Sequence, residues 1–274
     1  MSLLFNFLSP LWADSAFAYS YKCQKLAGMK VATWMPDESA YPAPLILFSH
    51  GYHGINVQCG FAKKLLAQNG YIVVAPNHKD AIGAPGSLAI HPIFARTKKW
   101  NHSTFEYRAD DIKNLLAYLK EDPQWRDKID WDKIGICGTS LGGYTVLGLA
   151  GAWPEQKLPE AKCVLAQAPF TKPLLEKDLL ARIDIPVMYQ GGGLDFLTPE
   201  IRKKGGAYDS TPSPAYYVEF KRATHLFWSV LNFSKKRQNE MSYYNLAFFD
   251  KYLKGIDDGR LAHKTDNASQ LKVK

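Results

Sequence analysis

Cysteine is scarce in this sequence, and long apolar runs are absent from most of it. Four cysteines in 274 residues do not make a disulfide scaffold, and none are paired with the C-x-x-C spacing of a zinc site. Beyond the first residues, no stretch approaches the roughly 20 consecutive apolar residues of a membrane-spanning helix. Internal repeats and low-complexity tracts are also lacking. With 46% hydrophobic residues, the chain has ample material for a core, and a single domain over residues 1–274 is predicted.

Acidic residues are outnumbered by basic ones. The 34 lysines and arginines exceed the 26 aspartates and glutamates, which gives a net charge of +8. The basic residues are scattered, and their densest run is residues 235–237. Scattered positive charge is typical of a solvated surface and not of a nucleic-acid interface. No nucleic-acid partner is therefore predicted.

No lysine or arginine precedes Lys22, although residues 2–18 are fairly apolar and end in a small-x-small sequence. A secretory signal needs a positive segment before its apolar stretch. Residues 1–25 are therefore predicted to be an amphipathic segment that covers the fold, without stable membrane insertion, and the protein is expected in the cytoplasm. The alternative is a secreted or periplasmic protein in which residues 1–18 act as a signal peptide.

Apolar runs of strand length alternate with stretches of helical spacing. The runs that predict strands are residues 31–35, 45–48, 71–75, 134–137, 163–168, 186–190 and 216–221. The stretches that predict helices are residues 58–69, 106–120, 142–152 and 241–254. This alternation predicts an α/β fold with a mainly parallel central sheet and helices on both faces. Residues 77–104 are too long for a simple connector and are predicted to form a lid or pocket loop, whereas residues 262–274 are expected to be a loose tail.

The most informative motif is Gly138-Thr-Ser-Leu-Gly142, a G-x-S-x-G sequence between a predicted strand and a predicted helix. In that context the motif is typical of a nucleophile elbow, where a sharp turn exposes a serine hydroxyl above the sheet. Glycine is needed on both sides because side chains two residues away would collide. The motif predicts Ser140 as a nucleophile. The alternative is a glycine-rich turn in which this serine caps the helix.

A serine nucleophile needs a base to accept its proton and an acid to orient that base. Asp195 follows the apolar strand that ends at residue 190, which puts its carboxylate at the carboxyl edge of the sheet. Asp184 is the rival acid, but it precedes that strand and should lie at the opposite edge. Of the two histidines after Asp195, His225 directly follows the last predicted strand, whereas His263 lies in the polar tail. Asp195 and His225 are therefore predicted to complete a triad.

The turn Ser49-His-Gly-Tyr-His-Gly54 follows a buried strand and is predicted to contribute to an oxyanion hole. The expected donors are the backbone N–H groups of Tyr52 and of Leu141, the residue after the nucleophile. The alternative makes His50 and His53 a metal pair, but a third ligand is not evident, so no metal is predicted. Three aromatic residues in loops at the same edge are expected to line an apolar acyl pocket: Trp100, Phe170 and Phe196.

Several segments carry a wider resemblance. They are residues 44–51, 66–76, 108–112 and 138–143, and the surroundings of Asp195 and His225. Together they resemble the dienelactone-hydrolase-like branch of the α/β-hydrolases, and within it the esterases related to platelet-activating factor acetylhydrolase. The resemblance implies an α/β-hydrolase fold and hydrolysis of a small-molecule carboxylic ester, short-acyl or lipid-like, through an acyl-enzyme, with no metal or organic cofactor. Dienelactone hydrolase itself uses a cysteine nucleophile, so Ser140 indicates an esterase of the wider group.

Three other functions share these features. An amidase or peptidase would use the same triad with a different pocket. A noncatalytic relative that binds a ligand is disfavoured because all three triad positions are filled. A polyester hydrolase or lipid-surface enzyme is suggested by aromatic residues at Tyr52, Trp100, Phe170, Phe196, Phe227 and Trp228.

Overall fold

The computed structural model describes residues 17–83, 92–229 and 231–274. Within these residues, nine strands form one sheet. The strands are β1 (Tyr19–Leu26), β2 (Met29–Pro36), β3 (Ala43–Ser49), β4 (Ile72–Pro76), β5 (Ile129–Thr139), β6 (Ala161–Gln167), β7 (Val187–Gly192), β8 (Ala215–Phe220) and β9 (Ala268–Val273).

The centre of the sheet is parallel and its edges are antiparallel. The strand order is β1-β2-β4-β3-β5-β6-β7-β8-β9, and all pairs from β4 to β8 are parallel. β1, β2 and β9 run antiparallel to their neighbours. This topology confirms the predicted mainly parallel sheet. Because the carboxyl ends of parallel strands meet at one edge, the loops after β3, β5, β7 and β8 converge there.

Helices cover both faces of the sheet. They are α1 (Gly60–Gln68), α2 (Glu106–Glu121), α3 (Pro123–Arg126), α4 (Leu141–Leu147), α5 (Lys172–Leu175), α6 (Ala207–Ser210) and α7 (Lys235–Phe249). The apolar side chains of α2 and α4 join one buried cluster, and those of α1 and α7 join another on the opposite face. The sheet therefore carries a core on each side, as its fully buried central strands require.

Two expectations about the ends of the chain were wrong. Residues 268–273 are not a loose tail, because they form β9, which pairs with β8 at one edge of the sheet. Residues 19–25 do not form an amphipathic cover, because they belong to β1, the strand at the other edge. Residues 1–16 of the predicted cover lie outside the described residues.

The long loop at residues 77–104 is described only in part, since residues 84–91 lie outside the described residues. Its beginning is buried at His78 and Asp80, and its end contains two short 3-10 turns, Pro92–Ala95 and Thr97–Lys99. In the described part of the chain, no helix is long and apolar enough to cross a bilayer.

Candidate active site

Ser140 has a backbone conformation that non-glycine residues rarely adopt. Its φ is 56° and its ψ is −116°, at the turn between β5 and α4. Such strain persists only where the surrounding structure imposes it, and it is concentrated at functional sites. Here the Ser140 amide donates to the Gln167 carbonyl on β6 (2.9 Å), and the Ser140 carbonyl accepts from the Phe170 amide (3.0 Å). The neighbouring strand end therefore holds the serine in place.

The two glycines of the motif are required by space. A Cβ atom on Gly138 would lie 2.2 Å from the Gly142 carbonyl oxygen. A Cβ atom on Gly142 would lie 2.0 Å from the carbonyl oxygen of Ser49, at the end of β3. Both approaches are to backbone atoms, which cannot rotate away. The elbow thus brings α4 directly against the end of β3, where the turn at residues 49–54 begins.

Asp195 and His225 are brought together by the loops after β7 and β8. His225 Nδ1 lies 2.8 Å from Asp195 Oδ2. The carboxylate also accepts hydrogen bonds from the Thr198 hydroxyl (2.9 Å) and the Leu197 amide (2.9 Å). The Asp195 side chain is 2% exposed and that of His225 is 20% exposed. A buried acid therefore orients a histidine that solvent and ligands reach.

The environment keeps Asp195 ionised. Burial raises the pKa of this carboxyl, but the hydrogen bond and charge of His225, with the Thr198 and Leu197 donors, lower it by more, and the resulting pKa lies below the ordinary value. The rival acid, Asp184, differs in its position and in its exposure. It is exposed before β7 and pairs with Lys157 Nζ at 2.6 Å.

The turn at residues 49–54 lies against the nucleophile. The Cβ position of Gly51 is 3.4 Å from Ser140 Cβ. The Gly51 amide donates to Gln58 Oε1 (2.8 Å), so Tyr52 supplies the next amide along the turn. Leu141 is the first residue of α4, where an amide has no acceptor within its own helix. The two predicted oxyanion donors thus belong to the turn at residues 49–54 and to the start of α4, and their role stays a prediction.

Gln58 connects that turn to the histidine loop. Its side-chain Nε2 donates to the Trp228 carbonyl (2.9 Å) while its Oε1 holds Gly51. Trp228 ends the 3-10 turn that starts at His225. One amide side chain therefore joins the loop beside the nucleophile to the loop of the base.

A buried chain of polar side chains lies behind the elbow. Thr139 donates to Gln167 Oε1 (3.1 Å), and Gln167 Nε2 lies 3.3 Å from Gln190 Oε1. The Gln190 amide donates to Asn245 Oδ1 (2.7 Å), and the Trp228 indole donates to Gln190 Oε1 (3.3 Å). The residue before Ser140 is thereby tied through β6, β7 and α7 to the turn after His225.

The three expected pocket aromatics have different positions. Trp100 is fully buried in a cluster with Phe94, Phe105 and Tyr144, so the expectation that it lines a pocket was wrong. Phe170 is half-buried beside Ser140, and its ring lies 5.3 Å from that of Trp100. Phe196 is 74% exposed on the loop of Asp195. Phe170 alone combines partial exposure with contact to the nucleophile's backbone.

His50 does not have the geometry of a metal ligand. Its Nδ1 lies 2.7 Å from the Gly51 carbonyl, which only accepts, so Nδ1 carries a proton. Its Nε2 accepts from the His78 amide at 3.0 Å. Both ring nitrogens are thus occupied. Among the residues that the structure describes, no three His, Cys, Asp or Glu side chains are grouped to hold a metal.

Gln58 and Arg108 were not predicted as site residues, although both contact the turn at residues 49–54. Gln58 gives no sequence signal, because an isolated glutamine before a helix is unremarkable. Arg108 gives one, since it shares a helical stripe with Ile112, Leu115 and Leu119, which places a cation among buried apolar residues.

A profile of the dienelactone hydrolase family matches residues 29–228. This span includes the elbow, the Asp195 loop and His225. The chain belongs to the dienelactone hydrolase family. Membership confirms the predicted α/β-hydrolase fold class and the predicted resemblance. The narrower likeness to platelet-activating factor acetylhydrolase stays a prediction.

Curated relatives of this family member include cutinases. The chain is 26% identical over 191 residues to cutinase est1 of Thermobifida alba, covering 68% of the chain and 55% of that protein. It is 23% identical over 189 residues to cutinase 2 of Thermobifida cellulosilytica, covering 68% and 62% respectively. A shorter match, 34% identical over 92 residues, joins 32% of the chain to 11% of dipeptidyl-peptidase 5 of Porphyromonas gingivalis. The chain therefore spans little more than half the length of these cutinases.

Proposed function

We propose that this chain is a serine hydrolase that cleaves carboxylic esters through an acyl-enzyme. The observation that carries the proposal is the strained backbone of Ser140, at the edge of the sheet where Asp195 and His225 meet. A serine held in this way at the end of a central parallel strand has the geometry of the nucleophile elbow, which α/β-hydrolases use for acyl transfer. Membership of the dienelactone hydrolase family and the cutinase relatives support the same chemistry.

The proposed reaction has two halves. His225, oriented by Asp195, takes the Ser140 proton as Oγ attacks the ester carbonyl, and the amides of Tyr52 and Leu141 stabilise the oxyanion. The carbon–oxygen bond to the leaving alcohol then breaks, and His225 returns the proton to that oxygen. Water, deprotonated by His225, attacks the acyl-enzyme, and its proton returns to Ser140 Oγ as the carboxylic acid departs.

In this proposal, the hydrogen bond between the Ser140 hydroxyl and His225 Nε2 forms when the substrate binds. Among residues 17–83, 92–229 and 231–274, the ring of His225 bonds to Asp195, and no hydrogen bond joins it to the Ser140 hydroxyl. Catalytic hydrogen bonds are commonly long in unliganded sites and shorten in the substrate complex. The short Asp195–His225 bond leaves Nε2 as the acceptor that the serine requires.

An apolar substrate fits the surroundings of the triad. Six exposed apolar side chains lie close to Asp195 or His225 in the sequence, and we call them the apolar rim: Leu194, Phe196, Leu197, Leu226, Leu231 and Phe233. Isolated exposed apolar residues are ordinary, but a concentration of them marks a contact surface. Together with half-buried Phe170, the rim favours an acyl group or a leaving group that is itself apolar.

A polyester is the second candidate substrate. The rim's two most exposed members are Phe233 at 80% and Phe196 at 74%, so they are available to a surface as well as to a small molecule. Cutinases are the relatives that match most of this chain. These two observations favour extended apolar esters over charged ones.

The test combines labelling with a substrate comparison. A fluorophosphonate should label Ser140, as read by intact mass and peptide mapping, and Ser140→Ala should retain the fold while losing turnover of p-nitrophenyl butyrate. The matched amide, butyryl p-nitroanilide, should be cleaved far more slowly. Absence of labelling in a folded wild-type protein would refute the proposal, and faster cleavage of the amide would assign an amidase instead.

A further inference from the structure

Arg108 is a fully buried cation whose donors converge on one turn. Its Nη1 donates to the His50 carbonyl at 2.7 Å and lies 3.4 Å from Ser49 Oγ. Its Nη2 donates to the Gly51 carbonyl at 3.2 Å and to Asp80 Oδ2 at 2.7 Å. Three of these four acceptors belong to consecutive residues. The first turn of α2 is therefore hydrogen-bonded, through Arg108, to the turn that begins at the end of β3.

Packing alone does not account for this arginine. Its neighbours on the same helical stripe are Ile112 and Leu115, and an apolar residue would join that cluster without the cost of burying a charge. Asp80 provides the counterion, yet Arg108 Nε and Asp80 Oδ1 have no hydrogen-bond partner among the described residues. The guanidinium thus divides its donors between the Asp80 carboxylate (2.7 Å) and the backbone carbonyls of His50 (2.7 Å) and Gly51 (3.2 Å).

The Gly51 carbonyl is the most heavily bonded atom of the turn. It accepts from Arg108 Nη2, from His50 Nδ1 at 2.7 Å, and from the Gly54 amide at 2.9 Å. This carbonyl shares a planar peptide unit with the Tyr52 amide, and in a trans peptide the C=O and N–H groups point in opposite directions. Fixing the carbonyl toward α2 therefore fixes the Tyr52 N–H on the other side of the turn.

His78 lies behind this turn and hydrogen-bonds to two of the residues that fix it, Ser49 and His50. His78 donates its backbone amide to His50 Nε2, and its ring Nε2 lies 2.9 Å from Ser49 Oγ. Its Nδ1 lies 2.8 Å from Asp111 Oδ2, one helical turn from Arg108 on α2. Burial holds the pKa of both histidines well below the ordinary value, so both rings are neutral and each has one donor and one acceptor. The donor and the acceptor of each of these hydrogen bonds are therefore fixed.

We propose that Arg108 is a positioning residue for the oxyanion hole, which orients the Tyr52 amide by holding the carbonyls of His50 and Gly51. The inference rests on the proposed function, since the amide matters only if Ser140 attacks a carbonyl group. The Arg108 guanidinium is fully buried and bonds to Asp80 and to the turn that begins at Ser49, not to Ser140. Its loss should weaken stabilisation of the tetrahedral intermediate and leave substrate binding in the ground state nearly unchanged.

The experiment compares Arg108→Lys and Arg108→Met with the exposed control Arg126→Met. For p-nitrophenyl butyrate, kcat should fall about tenfold to a hundredfold in Arg108→Met, below the full loss of one oxyanion donor, while KM changes less than about threefold. Arg108→Lys should recover only part of kcat, because a single ammonium group cannot bond to both carbonyls as the guanidinium does. A trifluoromethyl ketone, whose adduct carries the oxyanion, should lose affinity in parallel with kcat.

The number of fluorophosphonate-labelled serines per chain distinguishes a failure of the proposed function from a failure of the positioning role. Fluorophosphonate should label one Ser140 per chain in every folded variant, only more slowly in the Arg108 variants. If the wild type itself is not labelled, the proposed function fails. If the wild type is labelled and folded Arg108→Met keeps kcat and ketone affinity within about twofold, the positioning role is refuted. Arg108→Lys decides the question should Arg108→Met not fold, because lysine retains a charge opposite Asp80.

Discussion

His225 Nδ1 lies 2.8 Å from Asp195 Oδ2, and the same carboxylate accepts from the Thr198 hydroxyl and the Leu197 amide. A carboxylate only accepts hydrogen bonds, so Nδ1 carries the proton and Nε2 keeps its lone pair. The donors from residues 197 and 198 hold the carboxylate in the position that selects this tautomer. The base is therefore prepared before any substrate arrives.

Asp195→Asn should lower kcat for p-nitrophenyl butyrate by about 10³- to 10⁴-fold, because an amide at this position also stabilises the wrong tautomer of His225. KM should change little. The matched control is Asp184→Asn, which removes an exposed carboxylate paired with Lys157 and should leave kcat unaltered. Steady-state kinetics on both variants decide which aspartate serves the base, and a large loss in Asp184→Asn would reverse the assignment.

Gln58→Ala should reduce kcat about tenfold or more, because it removes the bridge between Gly51 and the Trp228 carbonyl and so loosens both the oxyanion turn and the histidine loop. Exposed Gln124 provides a control of the same type, as Gln124→Ala. Pre-steady-state acylation rates should fall only in the first variant. Equal rates in the two variants would show that the bridge has no catalytic consequence.

Gly142→Ala should cost ~3 kcal/mol of unfolding free energy, because the new methyl group would overlap the Ser49 carbonyl. Gly60→Ala is the control, since the nearest atom to its Cβ position is a Trp34 ring carbon 3.9 Å away. Alanine there should be tolerated within about 1 kcal/mol. Urea denaturation followed by circular dichroism measures both, and similar midpoints would mean that the elbow is less tightly packed than described.

Lys63 should make stability depend on pH. This side chain is buried on α1, where its Nζ donates to the Asn56 carbonyl, and burial lowers its pKa from 10.5 to about 7. Between pH 7 and 10.5 the unfolded chain holds a proton that the folded chain lacks. The free energy of unfolding contributed by this group therefore rises with pH across that window.

Lys63→Met should remove that contribution. Relative to the wild type, the variant should gain most stability below pH 7, and the gain should shrink steadily toward pH 10. Lys64→Met, at the exposed neighbouring position, should show a difference that does not vary with pH. Denaturation midpoints at pH 6, 7, 8, 9 and 10 test the slope. A constant difference for Lys63→Met would mean that this lysine keeps its ordinary pKa.

Substitutions in the apolar rim should lower activity on a polyester surface more than activity on a small soluble ester. Phe233→Ser and Leu231→Ser should lower product release from an aliphatic polyester film severalfold more than they lower turnover of soluble p-nitrophenyl butyrate, because a surface contacts residues that a short ester does not reach. Tyr21→Ser, at an exposed aromatic on the edge strand β1, is the control. An unchanged ratio of film to soluble activity would argue against a surface substrate.

The sequence predicted the central strands because they are buried on both faces and appear as continuous apolar runs. It did not predict β1 or β9, since edge strands are partly solvated and their sequences, such as Tyr19-Ser-Tyr-Lys-Cys-Gln-Lys-Leu26, lack an apolar pattern. Helix α7 begins at Lys235, six residues before the predicted start at Met241, because its first turns are polar and exposed.

The site was predictable where chain order carries information. Ser140, Asp195 and His225 each follow a parallel strand, so their common edge follows from topology alone. Residues contributed from the first turn of a helix, such as Arg108, or from the loop before one, such as Gln58, follow no such rule. The burial of Trp100 depends on which aromatic residues surround it in three dimensions, and the sequence of its own loop does not contain that information.

The amide chain behind the elbow has an implication for how this sequence can change. Gln167, Gln190 and Asn245 satisfy one another inside the protein, so replacing one with an apolar residue leaves its partners buried with unmet hydrogen bonds. Two or three simultaneous apolar replacements avoid that penalty. Substitutions here are consequently expected to be strongly non-additive, and double-mutant cycles should give coupling energies well above those of surface pairs. Accepted changes at these positions would then arise together more readily than one at a time.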